Sequence, residues 1–107
     1  MNVRPAHLLS IGLLAASALL AGCGNVISSS CNESIQCEGG NDMDIDACIA
    51  SSEGAQNVAA AYGCSEAFDK LLDCIDTTSK CSKGHYSSDC GDEAEAVASC
   101  EKAASSK

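Results

Sequence analysis

Apolar and polar positions divide the chain into an uncharged N-terminal run and several shorter amphipathic segments. Residues 8–21 contain no charged side chain. Further along, apolar residues recur at helical spacing in three places. The pattern predicts one helix over about 45–62 and a second that begins at Ser65 and weakens at residues 77–79. It predicts a third helix over about 92–103.

The strongest period lies in the second of these helices. Phe68, Leu71, Leu72 and Ile75 follow at i, i+3, i+4 and i+7, which places them on one face of a helix. Ser65 is the expected N-cap of this helix, because serine side chains accept hydrogen bonds from the first free amides.

The other two helices have weaker patterns. For the first, Asp44 is the expected N-cap and Gly63 the expected C′ residue. The expected inner positions of the first and last helices are Cys48, Ala55, Ala59 and Tyr62, and Ala94, Val97, Ala98 and Cys100. Residues 31–37 predict one or two leading helical turns that end at Gly39-Gly40, and residues 80–89 predict a loop.

These elements predict an all-α fold. The expected architecture is a small disulfide-rich bundle of about three helices plus a short leading helical turn, over residues 31–104. Short connections favour antiparallel neighbouring helices.

The N-terminal segment has the features of a signal peptide. Arg4 supplies a positive charge before the apolar run. A membrane span of about 30 Å needs roughly 20 apolar residues, whereas a signal-peptide apolar region has about 7–15. Residues 1–22 are therefore expected to be removed.

The stretch Leu20-Ala21-Gly22-Cys23 resembles the lipobox of bacterial lipoproteins. The resemblance implies lipidation of Cys23, cleavage between Gly22 and Cys23, and a partner in membrane lipid. It implies a location in the cell envelope. Gly24 is not the aspartate associated with inner-membrane retention, which favours the outer membrane if the source is Gram-negative. Residues 23–30 are then the lipidated cysteine and a short tether.

The mature segment is strongly acidic. Residues 23–107 retain all fifteen acids but only five lysines, so the formal charge is 5 − 15 = −10. This sign argues against nucleic acid as a partner. It favours a cationic partner, although the sequence does not identify a protein partner.

Eight cysteines follow Cys23, an even number that predicts four disulfides in a short exported chain. They are Cys31, Cys37, Cys48, Cys64, Cys74, Cys81, Cys90 and Cys100. Antiparallel helices place Cys64 and Cys100 at one end of the bundle, and Cys31 and Cys74 at an intermediate level. We therefore expect Cys64–Cys100 and Cys31–Cys74, with two bridges among the remaining four cysteines.

The mature segment also resembles the small, alanine- and acid-rich, eight-cysteine helical lipoproteins of Gram-negative bacteria. The resemblance rests on Gly63-Cys64-Ser65 followed by Phe68 and Cys74, and on a cysteine near each helix end. It implies no activity.

One acidic stretch has partial EF-hand spacing. Asp42, Asp44 and Asp46 match positions 1, 3 and 5 of a calcium loop, and Glu53 matches position 12. Ala47 stands where the sharp turn normally needs glycine. The alternative interpretation is an acid-rich helix start, which the helix dipole favours.

Other chemistry has little sequence support. The closest cysteines are C-x₅-C, whereas zinc sites and thioredoxin-type centres use shorter spacings. The single mature histidine, His85, lies in a polar segment, so a hydrolytic site is not expected. The sequence therefore predicts a non-enzymatic, lipid-anchored structural or interaction domain without a cofactor. The alternatives are a calcium or cationic-ligand binder that uses the residue 42–53 acids and, second, an extracytoplasmic thiol redox protein.

Overall fold

The computed structural model describes residues 26–107, and it shows a small disulfide-rich helical protein. Helix α1 covers residues 26–38, and the remaining elements are α2 (Asp42–Ala61), α3 (Ser65–Thr78), β1 (Lys80–Ser82), β2 (His85–Ser87) and α4 (Gly91–Ser105). Within this part of the chain, every helix is too short or too polar to cross a membrane.

Helix α1 is longer than the one or two turns expected. Residues 26–30, predicted as part of a tether, are helical, and Ile27 is buried. The helix ends at Gly39, whose φ of 82° is the left-handed conformation that glycine adopts without steric cost. The Gly40 amide donates to the Ile35 carbonyl oxygen at 2.9 Å, which is the closing bond of a Schellman motif.

Helix α2 begins earlier than predicted and has a different N-cap. Asn41, not Asp44, is the cap, and its side-chain oxygen accepts from the amides of Met43 and Asp44. The Asp44 carboxylate accepts in turn a hydrogen bond from the backbone N–H of Asn41 at 3.0 Å. This reciprocal capping box stabilises a start at Asp42. At the other end, Gly63 has φ 73° and is the C′ residue, as predicted.

The covered face of α2 differs from the predicted one. Ala59 is buried and Cys48 is half-buried, as expected, but Ala55 is exposed and Tyr62 is 43% exposed. The face instead includes the half-buried polar residues Ser52 and Gln56. A hydrophobic pattern cannot reveal such a face because two of its positions are polar.

Helix α3 has the predicted buried face. Phe68 is buried, and Leu71, Leu72 and Ile75 are half-buried. The predicted cap was wrong: Cys64 is the N-cap and Ser65 is the first helical residue. The C-terminal bond of α2, from the Cys64 amide to the Ala59 carbonyl at 2.7 Å, already fixes Cys64 at this junction.

Residues 80–87 form a β-hairpin rather than the predicted loop. Cys81 pairs with Tyr86 at the centre of the antiparallel register. Lys83 and Gly84 both have positive φ values, 53° and 76°, which is the two-residue type I′ turn that matches strand twist. The Tyr86 hydroxyl lies 3.4 Å from the Ser30 hydroxyl, which places the hairpin beside α1.

The core lies between α2, α3 and α4. Its buried members are Ala59, Cys64, Phe68 and Val97. Ala94 and Ala98, which were expected on the inner face of α4, are exposed. With one phenylalanine at its centre, this core is small for a chain of this length, and covalent bridges compensate for limited apolar burial.

All eight cysteines of residues 26–107 form disulfides. The pairs are Cys31–Cys48, Cys37–Cys81, Cys64–Cys100 and Cys74–Cys90, with Cα atoms 5.7–6.0 Å apart. The predicted Cys64–Cys100 bridge is present, and the predicted Cys31–Cys74 bridge is wrong. Because α1 is a full helix antiparallel to α2, Cys31 lies opposite Cys48 across the Gly39-Gly40 turn. The hairpin likewise brings Cys74 back to Cys90.

Candidate functional site

The residues proposed for calcium do not form a calcium loop. Asp42, Asp44, Asp46 and Glu53 all lie within the continuous helix α2. A helix rotates about 100° and rises about 1.5 Å per residue. Asp44 therefore points away from Asp42. Glu53 lies about 10 Å further along the helix than Asp46, so the four carboxylates cannot surround one ion. Asp44 also caps the helix through the Asn41 amide. The structure therefore supports the acid-rich helix start rather than the EF-hand interpretation.

Two cysteines and an acid come close together at the junction of α3 and α4. Within residues 26–107, the sole group of three or more possible metal-ligating side chains is Cys74, Cys90 and Glu93, with ligand atoms within 4.8 Å of one another. The two sulfur atoms are bonded to each other. A metal ion binds cysteine as the thiolate, so this oxidised pair offers no thiolate ligand.

The hydroxyl of Thr78 organises the same junction. It donates to the Cys74 carbonyl oxygen at 2.8 Å and accepts from the Asp89 amide at 3.4 Å. It also lies 3.3 Å from the Cys90 sulfur. These contacts join the end of α3 to the start of α4. The polar groups beside the Cys74–Cys90 bridge thus have hydrogen-bond partners within the domain.

His85 lies at the start of β2 and is exposed. Its backbone partner in the hairpin register is Ser82. A general base needs a position within hydrogen-bond reach of a nucleophile in a cleft. An exposed hairpin position does not supply one.

A cleft of about 400 Å³ lies along the junction of α3 and α4. Its apolar lining consists of small groups: Gly63, Ala67, Ala96 and the Cys64–Cys100 disulfide. Side chains of this size leave space between two helices instead of filling it. The cleft is therefore a shallow, open groove whose shape is set by small residues.

Charged side chains line the same groove. Glu66 and Lys70 come from α3, and Asp92 and Glu93 come from the first turn of α4. Lys70 pairs with Glu66 at 3.6 Å, but both side chains are more than 70% exposed, and such surface pairs contribute little stability. Three acids against one lysine leave the groove with a net negative charge.

A second cleft, of about 390 Å³, continues the first. It shares Lys70 and Glu93 with the first cleft and adds Asp73, Cys74 and Thr77. The combined feature, called the α3–α4 groove below, extends from the Cys64–Cys100 bridge at one end to the Cys74–Cys90 bridge at the other. These two bridges show that α3 and α4 are antiparallel.

The charged border of the α3–α4 groove lies on the face of α3 away from the core, whereas its floor, at Cys64 and Ala67, is continuous with the core. Glu66, Lys70 and Asp73 follow at spacings of four and three, which places them on one helical face. Phe68 and Leu72 are on the opposite face and pack against the core that α2 covers. Sequence reasoning missed this groove because its lining is charged or small, and helix pairing decides where such residues meet.

The predicted lipidation site, Cys23, and the predicted signal peptide lie outside the described residues. Comparison of the chain with family models, curated proteins and solved structures found no match.

Proposed function

We propose that the chain is an exported lipoprotein, anchored to membrane lipid through Cys23, that displays a non-enzymatic interaction domain. The observation that carries this proposal is the separation of the nine cysteines into two sets. Eight form four disulfides within the helical domain, and the ninth, Cys23, ends the lipobox-like stretch.

The disulfides support an extracytoplasmic location for the domain. Structural disulfides persist in oxidising compartments and are rare where thiols are kept reduced. A chain with this small core depends on them for stability. Export through the N-terminal signal would therefore bring the domain into a compartment where its four disulfides can form.

The anchor would be durable. Each buried CH₂ group contributes about 0.8 kcal/mol, and two or more acyl chains give stable membrane attachment. Because α1 is helical from residue 26, few residues separate Cys23 from folded structure. The domain would therefore sit close to the membrane surface. In a Gram-negative source the proposed location is the outer membrane.

Intact mass spectrometry of the protein expressed in its bacterial source tests this proposal. The expected species begins at Cys23, carries acyl chains and shows no free thiol before reduction. The variant Cys23→Ala should lose acylation and membrane association, whereas Ser30→Ala serves as a control that should keep both. A water-soluble species without lipid in the wild-type protein would contradict the proposal.

Thiol counting separates this function from a redox role. A structural set resists mild reductant and stays fully oxidised, whereas a redox protein would show a pair that cycles. Ready reduction and reoxidation of one bridge in the native protein would favour the redox alternative.

A further inference from the structure

We propose that the α3–α4 groove binds a basic amphipathic helix of a protein partner. The inference rests on the proposed interaction function and names the surface and the partner chemistry. It is carried by three features of the groove: its shape, its small apolar lining and its negative charge.

The shape corresponds to a vacant helix position. Helices α3 and α4 lie side by side and antiparallel, and α2 covers one side of the pair through Ala59, which packs with Phe68 and Val97. The two connected clefts run along the same helix pair, and their border at Glu66 and Lys70 is open to solvent. Helix α3 has 14 residues, which corresponds to about 21 Å at 1.5 Å per residue. A partner helix of four turns matches this length.

The lining suits close approach of a helix. Gly63, Ala67 and Ala96 project little beyond the backbone, so a ridge of partner side chains can enter the space between α3 and α4. A partner with an alanine or leucine stripe would bury apolar area there. A small polar ligand would leave this lining uncovered.

The charge selects the partner. Glu66, Asp73, Asp92 and Glu93 line the α3–α4 groove, and Lys70 is its one cation. The mature chain carries 5 − 15 = −10, so a second copy of this domain would be repelled. Lysine or arginine residues flanking the apolar stripe of a partner helix would match both borders of the groove.

The test uses the mature, acylated and oxidised protein in nanodiscs of zwitterionic phosphatidylcholine, with empty nanodiscs as the blank. The probe is a fluorescent helical peptide of about 14 residues, which at about 1.5 Å per residue matches the roughly 21 Å length of α3. It has an alanine–leucine stripe flanked by lysines. Its two controls are the same peptide with glutamate replacing lysine, and a scrambled lysine peptide without a stripe. Fluorescence anisotropy measures binding at low and physiological salt.

Two matched pairs of variants localise the binding. Ala96→Phe fills the groove, whereas Ala98→Phe adds the same ring at an exposed position of α4 outside its lining. The double variant D92N/E93Q removes two charges from the groove, and E95Q/E101Q removes two charges of α4 outside the groove lining. Circular dichroism melts check that each variant is folded.

The expected result is binding of the lysine peptide and weaker binding of both control peptides. Ala96→Phe and D92N/E93Q should each reduce affinity about tenfold, a change equivalent to about 1.4 kcal/mol, and the two control variants should change it less than about twofold. Binding should weaken as salt increases.

Three results would overturn the proposal. They are absence of binding by the lysine peptide, an equal loss of affinity in the E95Q/E101Q control, and indifference of binding to Ala96→Phe. A dimer that Ala96→Phe abolishes would assign the groove to a second copy instead. Acylation of Cys23 is measured separately, so a negative peptide result with intact lipidation would reject the groove while leaving the anchored-domain proposal standing.

Discussion

Cys37 and Cys81 form the single disulfide, among the four of residues 26–107, that joins the α1–α2 pair to the segment containing α3, the hairpin and α4. Their Cα atoms lie 5.7 Å apart although the residues are 44 positions apart in sequence. The other bridges connect residues within one of these two units. In chain-entropy terms a closed loop of this length contributes about 4 kcal/mol. The bridge is thus the disulfide link between two units that also pack together through Ala59 of α2 and Phe68 of α3.

We predict that a strong reductant, added in increasing amounts beyond the mild conditions that the structural set resists, cleaves Cys37–Cys81 first and Cys64–Cys100 last. Cys81 is exposed, whereas Cys64 is 1% exposed within the core, and thiol–disulfide exchange requires access to a sulfur atom. Differential alkylation followed by peptide mass spectrometry gives the order. Early alkylation of Cys64 and Cys100 in a protein that is still folded would contradict it.

The sequence predicts the helical class and the Phe68 face, because these depend on local periodicity. It does not predict the α2 face, since Ser52 and Gln56 occupy covered positions without an apolar signature. It does not predict the hairpin, since Lys83 occupies a turn position usually taken by asparagine or glycine. These errors have a common origin in tertiary context, which overrides local preference.

The disulfide pattern shows the same limit. Cys64–Cys100 follows from two helices whose extents are clear in the sequence. The partner of Cys31 depends on the length of α1, and residues 26–30 contain too little periodicity to reveal it. The α3–α4 groove is harder still to predict from the sequence. Ala67 and Ala96 form a common lining only after α3 and α4 have paired.

Asn41→Ala should lower the free energy of unfolding by about 1 kcal/mol, the typical value for loss of an N-cap. The Asn41 side chain accepts from two amides of the first turn of α2. Asn57→Ala, an exposed substitution within the same helix, is the control and should be neutral or slightly stabilising. Urea denaturation of the oxidised proteins gives both values. Equal effects of the two substitutions would argue against the capping role.

Two glycine-to-alanine substitutions should have opposite effects on stability. At Gly54, within α2, an added Cβ meets no atom within 4 Å, so alanine should stabilise the helix by about 0.5–1 kcal/mol. At Gly40 the added Cβ would lie 2.5 Å from the Ile35 Cγ2 atom and 2.8 Å from an Asp44 carboxylate oxygen. Gly40→Ala should therefore destabilise the α1–α2 turn. Thermal melts of the two variants show whether Tm rises or falls relative to wild type. A higher Tm for Gly40→Ala would contradict the close contacts expected of its Cβ.

Lys83→Asn should stabilise the hairpin. Lys83 has φ 53°, and a left-handed conformation costs most L-residues roughly 1–2 kcal/mol, whereas asparagine tolerates it better. The substitution creates the Asn-Gly pair that type I′ turns prefer. We expect a gain of about 0.5 kcal/mol, which for a domain of this size raises Tm by about 2–4 °C.

The matched control for the hairpin is Lys80→Asn, which removes the same charge from an exposed β1 position outside the turn. It should leave Tm unchanged or lower it slightly, because asparagine is disfavoured in strands. Scanning calorimetry of both variants in the oxidised state separates turn geometry from charge. A rise in Tm shared by the two variants would assign the gain to loss of a lysine, and the turn would then have no special role.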